Sequence, residues 1–321
     1  MAIIFHDSVN KAIDSRESAR KYMLSFLDTN EPELVQWLHH TWMHQGKAIT
    51  YKELREMIMH GYLDPATIDA WYQDYSIFVV KYLKPLYEKA MEHAAKPIED
   101  SRVLFRFNPV AEGIKRWTDT TAAQFVTACT NDQVSAIRYV VSRASRLNDM
   151  NVDTLARVIR PMVGLNRPQA AANLNYYTKL IENGMSEKKA LEASIKYSAK
   201  QSRYRGHMIA RTELAYAHNK GEHFGVEQAI RAGYMGRTVK VWSSAGDVRV
   251  CDICKDLDAR THANPIPMDG HFNFPTKLKA TNPDIDLTPP AHPHCRCCVV
   301  YKEISPPEFS SEPQAQTVLP I

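Results

Sequence analysis

Five of the six cysteines in this chain lie in its last quarter: Cys251 and Cys254 form a CxxC pair, and Cys295, Cys297 and Cys298 close the run His292-Pro-His-Cys-Arg-Cys-Cys298. Cys129 stands alone. Zinc takes cysteine thiolate and histidine nitrogen in a tetrahedron, and structural sites commonly draw two ligands from each of two separated knuckles. Pairing CxxC with HxxC is the simplest solution and selects Cys251, Cys254, His292 and Cys295, with Cys297 the main substitute for His292. The intervening stretch 255–291 has few large apolar residues, so a metal closing it would contribute folding free energy directly, about 10 kcal/mol in isolated zinc peptides. A disulfide is disfavoured in a reducing compartment. A catalytic zinc needs an open position and a nearby base, whereas the surplus of soft ligands here favours a closed structural Zn2+ site.

Elsewhere the candidate chemistry is weaker. Within IARTELAYAHNKG, a helical wheel puts Ile209, Glu213, Ala217, Gly221 and Phe224 on one side, so a carboxylate sits in a face of small residues that lets another backbone approach. Such a carboxylate needs an arginine or backbone donors, and Arg203, Arg205 and Arg249 are candidates. A structural ion pair is the reading favoured over catalysis. His39, His40 and His44 include a pair four residues apart, read as a polar helix face rather than a metal site. Arg138, Arg143 and Arg146, with Arg203 and Arg205, are the side chains that would meet a phosphate backbone if the protein touches DNA.

The elements that must hold these groups are mostly helical. Asp64-Pro65 is a cap followed by proline at the first helical position, and Trp71, Tyr75, Phe78 and Tyr82 form an apolar stripe on a helix that bends near Pro85. A loop over 96–109 follows. Asp132 then caps a helix carrying Val134, Ile137 and Val141. Asn166 and Pro168 start a helix with Leu174, Tyr177 and Ile181 inward, and Asn183-Gly184 stops it. Ser186 caps a further helix to about Ala199, and a separate one runs over 207–232. Thr238, Val239, Val241 and Trp242 then change the period to that of a strand, 243–250 is a turn, and 261–290 reads as a long loop with short strands. The fold expected is α+β: a predominantly helical body with a small C-terminal zinc-stabilised, β-containing module. Its divisions are 1–100, 101–236, 237–304 and an extended tail over 305–321.

Composition bounds the function. The 321 residues are 44% hydrophobic and carry a net charge of +4, ample for a packed core and far from the balance of a dedicated DNA-binding protein. The N-terminal stretch lacks the apolar core of a secretory signal, and no apolar run reaches the roughly 20 residues needed to cross a bilayer. A cytoplasmic protein with no membrane association is the expectation.

The order of parts, a helical hairpin, IARTELAYAHNKG, a strand ending in tryptophan, AGDVRVCDICKDLDAR and then PPAHPHCRC before a short strand, resembles the phage Mu F-like family of minor head proteins. The resemblance covers roughly 150–303. It carries Arg211, Thr212, Glu213, Asp247, Arg249, Cys251, Cys254, Asp258, His292, Cys295, Arg296 and Cys297 over as motif positions. Ala259 replaces a usual glycine, His294 a usual asparagine, and Cys298 is additional, so His294 and Cys298 join the candidates for the fourth ligand. The resemblance implies a low-copy structural component of a tailed-phage head rather than an enzyme. It would associate with portal and capsid or scaffold proteins, act in procapsid assembly or DNA delivery, and move from host cytoplasm to virion. The alternatives are an internal protein that binds packaged double-stranded DNA, and a zinc-dependent hydrolase.

Overall fold

Capping residues set many of the boundaries. The computed structural model describes residues 16–147, 150–274 and 287–306, and these form helices with a small C-terminal sheet. In chain order the helices are α1 (Arg16–Ala48), α2 (Tyr51–His60), α3 (Pro65–Phe78), α4 (Lys84–Ser101), α5 (Glu112–Ala144), α6 (Val152–Ile159), α7 (Arg167–Glu182) and α8 (Glu187–Arg231). Then come β1 (Thr238–Ser243), α9 (Asp252–Ala263), β2 (Ile266–Pro267) and β3 (Cys298–Glu303). The expected tail falls outside the described residues beyond Pro306.

Asp64 caps α3 by accepting from Ala66 N at 3.3 Å, and Asn166 forms a reciprocal capping box with Gln169 at the start of α7. Trp71, Tyr75 and Phe78 are buried as their spacing requires, and the bend near Pro85 takes the form of a π-helical turn, Val79–Leu83, just before it.

Three expectations are corrected. Helix α4 continues through Pro97 to Ser101, so the loop is confined to 102–111. Asp132 lies inside the continuous 33-residue α5 and pairs with Arg205 at 2.9 Å instead of capping. The two helices expected between 186 and 232 are one helix of 45 residues. No proline interrupts 200–206, and Gly206 marks a close approach, where an added Cβ would stand 3.3 Å from Val35 Cγ1 and His39 Nε2.

Contacts divide the chain into two units, each drawn from separated stretches. The first is Met1–Asp28, Glu88–Ala111 and Thr212–Ile321; the second is Thr29–Tyr87 and Glu112–Arg211. The second unit is all helical, its core running from Leu54, Met57 and Trp71 through Ile137, Val141, Leu155 and Ile159 to Leu174 and Tyr177. A polar chain runs inside it: Trp42 Nε1 donates to the Tyr75 hydroxyl at 2.9 Å, which donates to Gln133 Oε1 at 2.8 Å.

In the first unit, every residue of α8 from Leu214 to Gly221 is buried, so the one-sided small-residue face becomes a helix enclosed on all sides. Gly221 explains how: a Cβ there would collide with the Cα, Cβ and Cγ of Met91 on α4. His218 is also enclosed. Its Nε2 lies 3.2 Å from His93 Nδ1, and Tyr22 stacks on the His93 ring at 4.1 Å. Beyond α8, β1 is the central strand of the order β2-β1-β3 and is antiparallel to both neighbours, with Val241 opposite Val300 and Trp242 opposite Val299. The fully buried Trp242 meets Phe272 and Phe274 edge-on at 5.1 and 5.5 Å, giving the segment after α9 apolar anchors.

Gly221→Val should therefore lower unfolding stability by about 2 kcal/mol or more, because backbone stands where the side chain would go. Gly113→Ala, which meets nothing, should cost nothing by the same denaturant titration. Burial, reinforced by His93, lowers the His218 pKa from 6.5 to about 3. The unfolded chain therefore takes up the proton first. The neutral-histidine contribution is complete above pH 6.5 and is lost as pH falls from there towards 3, amounting to about 2 kcal/mol at pH 5. Denaturation at pH 7 and 5 should show His218→Leu gaining on the wild type by that amount, and an unchanged gap would refute the assignment.

Candidate metal centre

Local geometry at the start of α9 places the first two thiols. Cys251 is extended and acts as the N-cap, its Sγ accepting from Cys254 N at 3.4 Å, which puts both cysteines on the helix's first turn. The second group approaches just before β3. His292 Nε2 lies 3.2 Å from Cys251 Sγ and 3.5 Å from Cys254 Sγ, and Cys254 Sγ lies 3.9 Å from Cys295 Sγ. Cys254, Cys295 and Cys297 form a second triplet whose sulfurs are within 4.8 Å of one another, so Cys254 belongs to both groups.

These residues fit a zinc ion. Ligands about 2.0–2.3 Å from a tetrahedral centre stand about 3.3–3.8 Å apart, the spacing seen around Cys254. His292 Nδ1 lies 2.9 Å from the Pro293 carbonyl. A carbonyl can only accept, so Nδ1 carries the proton and the Nε2 lone pair faces the two sulfurs. Cys254, Cys295 and Cys297 are buried, while Cys251 and His292 are partly exposed. The cluster unites all five expected ligand residues and leaves the choice between His292 and Cys297 on either side of Cys254. Among the described residues neither His294 nor Cys298 joins a triplet. Cys298 sits opposite Ser243 in the sheet, and burial pushes its thiol up to about 12.

Several polar contacts brace the cluster. Arg296 grips Asp247 with two bonds of 2.7 Å, tying the 244–250 turn to the second knuckle, and this contact holds the Asp247 carboxyl far below its ordinary range. Arg249 adds a weaker, exposed contact to Asp247 at 3.2 Å. Asp258 accepts from Ser244 N at 3.0 Å and from its hydroxyl, and pairs with Arg16 at 2.8 Å. Thr261 Oγ1 accepts from Trp242 N at 2.9 Å, docking α9 on β1. Asn219, not singled out by sequence reasoning, reaches Cys297 O and Val299 N from α8. The sequence carries no local signal for it, because Asn219 stands in the polar run His218-Asn219-Lys220.

The remaining candidates disperse. Glu213 is partly buried in the first unit, whereas Arg211 pairs with Glu31 at 3.0 Å in the second. Arg205 is buried and pairs with Asp132 at 2.9 Å. Arg138, Arg143, Arg146 and Arg203 are exposed. His44 faces Asp74 at 3.4 Å, and among the described residues His39, His40 and His44 build no metal group.

Residues 174–300 match the family described as phage Mu protein F like protein, so this stretch, from within α7 into β3, is phage Mu F-like and encloses every residue of the cluster. No curated protein and no solved structure gives a match. Among the described residues no helix is long and apolar enough to cross a membrane.

Because Cys254 is common to both triplets, Cys254→Ser should abolish zinc retention whichever fourth ligand operates. His292→Ala and Cys297→Ser separate the two options: the true ligand's loss should weaken zinc about tenfold or more in a competition with a chromogenic chelator.

Proposed function

We propose that this chain is a structural head-morphogenesis component of a tailed bacteriophage, in which a closed zinc site holds the C-terminal module. The observation that carries this reading is that the matched stretch 174–300 contains the whole cysteine and histidine cluster together with the helix and sheet that brace it. Zinc, when bound, neutralises thiolates that could not otherwise lie so close, and Cys251, Cys254 and Cys295 with His292 or Cys297 are the residues that would hold it. A structural role is favoured over hydrolysis because the void beside the cluster is only about 20 Å³, roughly one water's room. In this reading the helical parts dock on portal and capsid or scaffold proteins, assembly takes place in the host cytoplasm, and the chain remains in the head at the portal vertex.

A second reading, contact with packaged DNA, rests on Arg138 and Arg143 being exposed on α5 and Arg146 in the turn after it, with Arg143 and Arg146 bordering a cavity of about 400 Å³ beside Tyr139. Phosphate contacts weaken steeply with salt, whereas apolar docking does not. Duplex-DNA binding across a salt series distinguishes the two, and no binding at low salt removes the DNA reading.

The main test is to purify proheads and mature particles of the phage encoding the chain and measure protein and zinc in each. The chain should be present at low copy with about one zinc per chain. Its absence from both particles would overturn the head assignment, and its presence without zinc would overturn only the metal.

A further inference from the structure

The second unit carries a groove of about 550 Å³ between α1 and α8, unconnected with the cysteine cluster. Its floor is apolar and firm: Trp42 is 3% exposed, and Val35 and Val163 are buried beside it. Its walls are apolar yet wet, with Met43 57% and Ile195 41% exposed. Large side chains left in water on both sides of a formed concavity mark a surface that binds another molecule.

The rim has one sign of charge. Among the described residues Lys47, Arg160 and Arg203 are the charged side chains that line it, with His207 beside them and no Asp or Glu. Two of these are already engaged: Arg160 donates to Gly46 O at 2.8 Å and lies over the Tyr51 ring, while His207 pairs with Glu31 at 2.9 Å. Lys47 and Arg203 are exposed and, among the described residues, make no ion pair. On a chain whose net charge is only +4, this is a local concentration of positive potential above an apolar floor.

We infer that the groove docks an acidic polypeptide segment of a partner protein, which inserts a large apolar side chain between Met43 and Ile195 and sets carboxylates against Lys47 and Arg203. A polypeptide fits better than a small amphiphile because the walls are open: a small molecule would leave one side of its apolar body in water, whereas a backbone lying along the walls covers them. The inference uses the groove alone and stands apart from both the zinc and the head assignments.

The test uses the full chain and three short fluorescein-labelled peptides read by anisotropy. The first alternates glutamate and leucine around a tryptophan, the second replaces glutamate by lysine, and the third keeps glutamate but replaces leucine and tryptophan by alanine. The first should bind about tenfold or more tighter than either of the others. Ala199→Trp, an exposed wall position that fills the groove, and the surface pair Lys47→Glu/Arg203→Glu should each weaken it about tenfold, and added salt should weaken it further. Unfolding midpoints confirm that the variants fold, and the charge pair keeps the test decisive if the tryptophan does not fit. The inference is overturned if the first peptide does not bind at low salt, if the lysine peptide binds equally, or if the charge pair changes nothing. It is also overturned if octanoate occupies the groove as tightly as the peptide, which would make it a small-molecule site.

Discussion

Asn219 is completely buried on α8, and its amide donates to Ala215 O at 2.8 Å and to Cys297 O at 3.4 Å while accepting from Val299 N at 3.3 Å. Among the described residues strand β3 pairs with β1 along one edge only. Backbone groups on its other edge are buried and need partners, and each left unmade costs about 1–3 kcal/mol. One side chain thus answers for the backbone on both sides of Cys298 and holds the strand against a helix. The contact to Cys297 O also anchors the backbone beside the cluster. The tight seat of α8 against Met91, Ala95 and Ile98 of α4 leaves little freedom to the helix carrying that amide.

The same logic extends to the surroundings of the cysteine cluster. Here the polar neighbours of the cysteines are matched to one another: Arg296 with Asp247, Asp258 with Ser244 and Arg16, and Thr261 with Trp242. Each links two segments of chain, and the void beside the cysteines is about 20 Å³. The arrangement resembles the bracing around structural zinc, where outer contacts fix ligand direction.

Much of this was legible because local rules govern it. Ligand chemistry and spacing picked out the cysteine and histidine cluster, caps at Asp64 and Asn166 marked helix starts, and the alternation around Trp242 marked the central strand. What escaped depended on distant partners. Asp132 has the profile of an N-cap but is recruited by Arg205, 73 residues away. The stretch 200–206 carries polar residues and a glycine that suggest a break, yet Val35 and His39 pack against it and the helix continues. Helix α9 reaches into the stretch expected as loop from 261, because Leu257 and Thr261 find buried places against β1. The role of Asn219 could not be read locally, since a buried amide is defined by the strand it serves.

The division of the chain also bears on the order of events during synthesis. The first unit combines 16–28 and 88–111 with everything described after 212, whereas the second is complete once residue 211 has been made. A nascent chain can therefore close its all-helical unit early. The opening turns of α1 and most of α4 must wait, with Phe26, Met91 and Ile98 uncovered, until α8 and finally β3 emerge. Until then the apolar side chains of the first unit lack the cover that α8 provides, and among the described strands β3 is the last to be made.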